Sequence, residues 1–158
     1  PTLFVDAGYT RAQGIEALTG FNLGAIPGIL VLAFLTTRLP LVPLLSVFFL
    51  SAGVVLAYVG LTEPTALGSL MTLMFLGGVF LHGGFTCLYA LATQVYPSDI
   101  RAAGVGWAAG LGRTGAIASP LLAAALISAG WGMYSLFLSF ALPLIIGGLL
   151  LWVFASED

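Results

Sequence analysis

Arg113 lies in a glycine-rich, apolar stretch that follows Arg101, and it is the main candidate in this sequence to bind an anion. At about 1.5 Å per residue, the helix between them would separate them by roughly 18 Å. If Arg101 marks an aqueous boundary, Arg113 lies near the middle of a hydrocarbon layer about 30 Å thick. A guanidinium facing lipid there costs at least a few kcal/mol, so Arg113 is predicted to point into a bundle or a wet cavity and to have a partner.

The sequence offers no anion at the depth of Arg113. Its acids fall in connections, in tails or in the first turn of a span, and they are Asp6, Glu16, Glu63, Asp99, Glu157 and Asp158. The counter-charge must therefore come from protein outside this sequence or from a bound anion. Alternatively, Arg113 is a packing residue that donates to backbone carbonyls or reaches an interface along its stem. Nearby glycines favour close helix contact over lipid exposure: Gly104, Gly106, Gly110, Gly112 and Gly115.

Composition indicates an integral membrane protein. The 158 residues are 60% hydrophobic and 6% charged, with a mean hydropathy of +1.14, and a soluble domain could not cover its surface with so few charges. Long apolar runs favour helices over the alternating pattern of a membrane barrel. No basic patch suits nucleic acid. A single cysteine, Cys87, excludes an internal disulfide, and no His and Cys spacing suits a metal.

Apolar segments long enough to cross a membrane predict an all-α fold with five transmembrane helices. We predict these helices at residues 16–35, 41–61, 66–93, 102–127 and 132–154. Residues 1–15 are predicted to be the end of an earlier helix and an outer loop, and residues 156–158 a cytoplasmic tail. The sequence begins at Pro1 without a signal peptide, which indicates a piece of a longer protein.

Small and polar side chains pattern two of these helices. Gly20, Gly24 and Gly28 recur every four residues and predict a stripe for close helix packing. Asn22, in the same helix, either binds substrate or bridges two helices. In the third helix a polar stripe at the spacing of one helical face is predicted to face protein or water, and it consists of His82, Thr86, Tyr89 and Thr93. His82 is either a satisfied hydrogen-bonding group or a contact for substrate or a proton.

Charged residues in the connections indicate the orientation in the membrane. Arg38 and Arg101 fall on one face, which the positive-inside rule makes cytoplasmic, together with the C-terminus. Asp99 and Arg101 are predicted to pair with each other or to cap the fourth helix. We therefore expect a multi-pass protein of the inner (plasma) membrane in which Arg38, Asp99 and Arg101 belong to gating or structural loops.

The segment at residues 96–120 resembles the loop and eleventh helix of major facilitator superfamily transporters, most closely those of the aromatic acid:proton symporters. In that family a Tyr-Pro-x-x-x-Arg connection leads into a helix with a Gly-Arg-x-Gly core and a later proline. The matching residues here are Tyr96, Pro97, Arg101, Gly112, Arg113, Gly115 and Pro120. Residues 20–24 resemble the eighth helix of the same group. The resemblance implies the tail of helix seven plus helices eight to twelve, most of the C-terminal half of a twelve-helix fold.

On this resemblance, the preferred hypothesis is proton-coupled uptake of a small carboxylate, such as a hydroxybenzoate, by alternating access. Arg113 would offer a planar, two-pronged donor to the carboxylate. The further substrate-binding candidates are His82, Asn22, Thr86 and Tyr89, and the candidates to contact a ring are Tyr89, Phe85 and, on a different side of its helix, Trp107. The implied partners are the cargo, a proton, the bilayer and a missing N-terminal half of six helices.

Two alternatives keep a membrane protein but change its task. One is an exporter or a neutral-metabolite carrier of the same superfamily, with Arg113 bonded to an acid of the other half. The other is a scaffold subunit that has no transport cycle. An enzyme is not expected, and neither is a cofactor, because the sequence shows no nucleophile–base pair, paired carboxylates, phosphate loop or metal cluster.

Overall fold

A computed structural model describes residues 4–5 and 8–155, apart from the side chain of residue 154. In chain order its helices are α1 Arg11–Leu23, α2 Ala25–Leu35, α3 Leu41–Thr62, α4 Leu67–Val95, α5 Arg101–Ser128 and α6 Met133–Ala155. Since α1 and α2 together form one crossing, five spans are long and apolar enough for a membrane. The predicted all-α membrane fold is confirmed. The expected cytoplasmic tail lies outside the described residues, as does most of the expected end of an earlier helix.

The first crossing begins at Arg11 rather than at residue 16. Thr10 and Gln13 form a capping box: the Thr10 hydroxyl accepts from the Gln13 N–H at 3.2 Å, and the Gln13 side chain accepts from the Thr10 N–H at 2.9 Å. Arg11 and Glu16 make this first turn polar, so hydropathy alone places the start of the helix too late. The helix therefore extends beyond its apolar segment.

α1 and α2 run parallel to α4 and pack against it backbone to backbone. A Cβ atom on Gly24 or Gly28 would stand less than 3.0 Å from backbone atoms of α4, and a Cβ on Gly78 would stand as close to the Phe21 carbonyl. Small residues let helix backbones approach in this way. The predicted packing stripe is confirmed for Gly24 and Gly28. Gly20 does not belong to it, because nothing lies within 4 Å of a Cβ built there.

α3 packs antiparallel to α6 along a seam of small residues. Three positions on α3, each seven residues apart, face three on α6 with the same spacing: Ser46 with Gly148, Gly53 with Ala141, and Gly60 with Tyr134. The Ser46 hydroxyl donates to the Gly148 carbonyl at 2.6 Å. A seven-residue repeat keeps a seam facing its partner in a left-handed supercoil. This spacing is visible in the sequence but was not predicted to pair the two helices.

α5 has the least cover of the helices. None of its residues is buried, and it packs mainly against the C-terminal half of α4. Of the glycines expected to make close helix contacts, only Gly104 does so, against the Tyr96 ring. The others have open space around them: Gly106, Gly110, Gly112 and Gly115. The described residues therefore show no close packing around Arg113, because an open cleft separates α4 from this part of α5. Close packing against protein outside this chain stays a prediction.

Candidate functional site

The polar stripe of α4 faces an open sector between two neighbouring helices. α1 and α2 pack against one side of α4, α3 packs against another, and α5 lies on a third. Thr86 lines the groove between α2 and α4, and Tyr89 lines the cleft between α4 and α5. Because each residue turns a helix by about 100°, His82 and Thr93 project between these two directions. We call the surface of His82, Thr86, Tyr89 and Thr93 the polar face.

Arg113 flanks the polar face. α5 turns toward α4 the side that carries Val105, Ala109 and Gly112, which line the cleft. Arg113 follows Gly112 and is rotated from that side by about a quarter turn. Since α5 runs antiparallel to α4, this rotation carries Arg113 toward the polar face rather than toward α6.

The contact between Tyr96 and Gly104 sets the depth of Arg113 along the bundle. Arg113 follows Gly104 by nine residues on α5, and Cys87 precedes Tyr96 by nine residues. Because the two helices are antiparallel, Arg113 lies level with Cys87, the residue after Thr86. The predicted residues Arg113, Thr86 and Tyr89 therefore share one level of the fold and one open sector.

The Arg113 guanidinium is exposed and has no hydrogen bond or ion pair with any other residue in the described ranges. The acids within those ranges are Glu16, Glu63 and Asp99, on α1, at the end of α3 and in the connection before α5. The alternative in which Arg113 donates to backbone carbonyls is not what the described residues show. The guanidinium is left with its five donors available.

His82 is half-buried beside Phe21. The two rings meet edge to face with centroids 5.0 Å apart. The Nδ1 atom of His82 lies 3.0 Å from the Gly78 carbonyl, which fits the tautomer in which Nδ1–H donates to that oxygen. In that tautomer Nε2 is a free acceptor. His82 therefore has a structural hydrogen bond and retains one nitrogen for a ligand or a proton.

Asn22 follows Phe21 on α1 and is exposed. Its amide Nδ2 donates to the Leu18 carbonyl of its own helix at 2.8 Å. In the part of the chain that the structure describes, Asn22 therefore does not bridge two helices. Its amide oxygen makes no hydrogen bond with the described residues and is available to a ligand.

The cleft between α4 and α5 has a volume of about 330 Å³. On α4 its walls include Phe85 and Tyr89, whose rings stand nearly perpendicular at 87° with centroids 5.8 Å apart. On α5 its walls are small residues, among them Ala108 and Gly112. Phe85 and Tyr89 were predicted as ring contacts, but the small residues that make room opposite them were not. The i, i+4 spacing of Ala108 and Gly112 places both on one face of α5, and this spacing would have predicted a smooth wall there.

The family model described as the Major Facilitator Superfamily matches residues 1–158. The chain belongs to the Major Facilitator Superfamily. It is 31% identical over 157 residues to the 3-(3-hydroxy-phenyl)propionate transporter of Escherichia coli K12. The matched region is 99% of this chain and 38% of that transporter. It is 32% identical to the gentisate transporter of Corynebacterium glutamicum, over 97% of this chain and 34% of that transporter. It is also 32% identical to the gallate transporter of Pseudomonas putida, over 90% of this chain and 32% of that transporter.

This major facilitator chain thus spans about a third of the length of the curated relatives it matches. The resemblance to the aromatic acid branch of the superfamily is confirmed by these relatives. Because they are named as transporters, they also support the expectation that the chain is not an enzyme.

The connection from α4 to α5 in this superfamily member is tied at Tyr96. The Arg101 Nε donates to the carbonyl of Tyr96 at 3.2 Å, and Tyr96 is the C-cap residue directly after α4, near which a cation is favoured by the helix dipole. Asp99 accepts instead from the Ser98 hydroxyl at 3.2 Å. No side chain caps the start of α5. The expectation that Asp99 and Arg101 pair or cap α5 is therefore corrected: Arg101 caps the helix before it.

We expect Arg101→Met to lower the free energy of unfolding by about 1 kcal/mol, because the Tyr96 carbonyl directly after α4 loses its charged donor. Asp99→Asn should cost less than about 0.5 kcal/mol, since Asp99 bonds only its neighbour Ser98. Thermal unfolding of the two purified variants in detergent measures both. An equal loss in the two variants would indicate that Asp99 and Arg101 pair in solution.

Arg38, in the loop after α2, interacts with an aromatic ring rather than with an acid. Its guanidinium carbon lies 5.8 Å from the centre of the Phe34 ring. It forms no ion pair with the acids that the structure describes. Both residues are exposed, so this cation–π contact fixes the loop only weakly.

Proposed function

We propose that this chain is the C-terminal half of a carrier that takes up a small aromatic carboxylate together with a proton, by alternating access. The observation that carries the proposal is the position of Arg113, exposed beside the polar face and free of any anion in the described residues. A guanidinium presents two parallel donors, which match the two oxygens of a carboxylate.

The depth of Arg113 supports a role in transport. α5 has 28 residues, so it is about 42 Å long, and Arg113 lies roughly 18 Å from its first residue. With α5 centred on a hydrocarbon layer about 30 Å thick, the cation would lie near its middle, the depth at which secondary transporters bind their cargo. An unpaired cation at that depth costs several kcal/mol, so a site that fills with an anion during each cycle explains its presence.

The kind of cargo is suggested by the relatives and by the cleft. Each of the three relatives is named for an aromatic carboxylic acid. Beside Arg113 this chain has a mostly apolar cleft with two aromatic walls, Phe85 and Tyr89. A cation next to an aromatic cleft matches a molecule with a carboxylate at one end and a ring at the other.

Proton coupling and orientation form the finer part of the proposal. His82 has a free Nε2 on the polar face and is the candidate in this half to accept a proton. The remaining groups would belong to a partner half of six N-terminal helices. With Arg38 and Arg101 on the cytoplasmic face of the inner membrane, the C-terminus is cytoplasmic as well.

Competition for uptake tests the proposal. The full-length carrier in proteoliposomes should accumulate labelled 4-hydroxybenzoate under an inward proton gradient, and a protonophore should abolish the accumulation. Unlabelled aromatic acids should compete at least about tenfold better than sugars or amines, since only the acids can engage Arg113 as a carboxylate. Competition by neutral solutes alone would favour a neutral-metabolite carrier. Accumulation that persists with the protonophore would contradict proton coupling.

A further inference from the structure

The cleft between α4 and α5 lies beside Arg113. Gly112 lines the cleft, and Arg113 is the next residue, turned toward the polar face. A molecule whose carboxylate binds Arg113 therefore has the mouth of the cleft beside it. If the proposed function holds, the position of the cleft indicates where the remainder of such a molecule binds and which side chains distinguish one aromatic acid from another.

The two walls of the cleft differ in a way that suits a flat ring. The α4 wall has Phe85 and Tyr89, while the α5 wall has Ala108, Ala109 and Gly112. A ring can lie against the small α5 residues and meet the α4 aromatics edge to face, the arrangement that aromatic pairs favour. Phe85 and Tyr89 already hold such an arrangement with each other, with centroids 5.8 Å apart. A space that small residues keep open is narrowed by any larger side chain.

Among the residues that line the cleft, two tyrosines have hydroxyl groups, Tyr89 and Tyr96, and Tyr89 is the nearer of the two to the level of Arg113. The Tyr89 hydroxyl makes no hydrogen bond with any residue in the described ranges, and its side chain is only half-buried. Tyr89 lies one turn beyond Phe85 toward the end of α4, about 6 Å further along the cleft. Counted from the Tyr96–Gly104 contact, Tyr89 lies only about 3 Å along the helix axis from the level of Arg113, so a ring that enters the cleft from Arg113 passes this hydroxyl.

We propose that the α4–α5 cleft holds the ring of the cargo, that the Tyr89 hydroxyl binds a hydroxyl group on that ring, and that Ala108 limits the size of the ring substituents. Tyr89 is thus a specificity residue for hydroxylated over unsubstituted aromatic acids. Arg113 binds the carboxylate group that all aromatic acids share, so the preference for one aromatic acid over another comes from the cleft.

The test of Tyr89 compares two probes, 4-hydroxybenzoate and benzoate, in the full-length carrier. Tyr89→Phe should weaken the apparent affinity for 4-hydroxybenzoate about fivefold, because one hydrogen bond is lost, and should leave that for benzoate unchanged. Tyr58→Phe is the matched control, since Tyr58 is exposed on α3 away from the cleft and should change neither value. Ala108→Leu should exclude 3-(3-hydroxyphenyl)propionate more strongly than benzoate.

The outcomes separate this inference from the proposed function. Equal weakening of both probes by Tyr89→Phe, or no effect on either, would overturn the role of the hydroxyl while uptake by the unaltered carrier still supported an aromatic acid transporter. Unchanged size preference in Ala108→Leu would overturn the assignment of the cleft. Failure of the unaltered carrier to take up either probe would overturn the proposed function and this inference with it.

Discussion

Gly78→Ala should remove most of the folded protein, whereas Gly20→Ala should leave the yield unchanged or raise it. A Cβ on Gly78 meets the carbonyl oxygen of Phe21, a backbone atom that cannot rotate away, so α1 and α4 would have to separate. Overpacking costs 1 to 3 kcal/mol or more, and a clash between two backbones belongs at the upper end, about 3 kcal/mol. Gly20 faces open space, so alanine there gains up to about 1 kcal/mol of helix propensity.

The measurement is the fraction of monodisperse protein in detergent and its thermal unfolding temperature, for the full-length carrier with each substitution. Gly28→Ala should behave like Gly78→Ala, because its Cβ would meet the Val79 backbone. Gly20→Ala is the control for both variants. It introduces the same side chain, and Gly20 belongs to the same four-residue repeat as Gly28. Equal stability of Gly78→Ala and Gly20→Ala would show that the backbone contact between α1 and α4 is absent.

The same stripe shows how far the sequence predicts this fold. A four-residue repeat of glycines indicates that one face of a helix packs closely, but it does not say which glycines of the repeat point at the partner helix. Gly24 and Gly28 meet α4, and Gly20 does not. Hydropathy predicts where a helix starts only when its first turn is apolar. The first turn of α1, which Thr10 caps, is polar, so its start at Arg11 was not predicted. Both limits arise because tertiary contacts and capping act beyond the apolar pattern.

The candidate site was predictable to the extent that it depends on the period of one helix. The spacing of His82, Thr86 and Tyr89 places them on one face whatever surrounds α4. Which neighbours leave that face open depends on the placement of α2 and α5, which no spacing encodes. The hydrogen bond of Arg101 to the Tyr96 carbonyl, and not to an acid, likewise depends on the backbone path of the connection.

Arg113→Lys should reduce uptake of aromatic acids between about tenfold and a hundredfold without lowering the amount of carrier in the membrane. Lysine keeps the charge but replaces a planar pair of donors with a single ammonium, so the loss corresponds to a charge-assisted hydrogen bond at the carboxylate. If Arg113 were bonded to an acid of the other half instead, lysine would preserve most of that attraction and most of the uptake.

Initial uptake rates at low concentrations of 4-hydroxybenzoate, normalised to carrier in the membrane, make the distinction. Arg11→Lys is the control, because Arg11 is exposed at the start of α1, far from the polar face, and should transport normally. Arg113→Gln, which removes the charge, should be at least as impaired as Arg113→Lys. Normal uptake by Arg113→Lys would contradict a two-pronged carboxylate site. Arg113 would then act in this half as a plain positive charge, and selectivity for carboxylates would have to come from the other half.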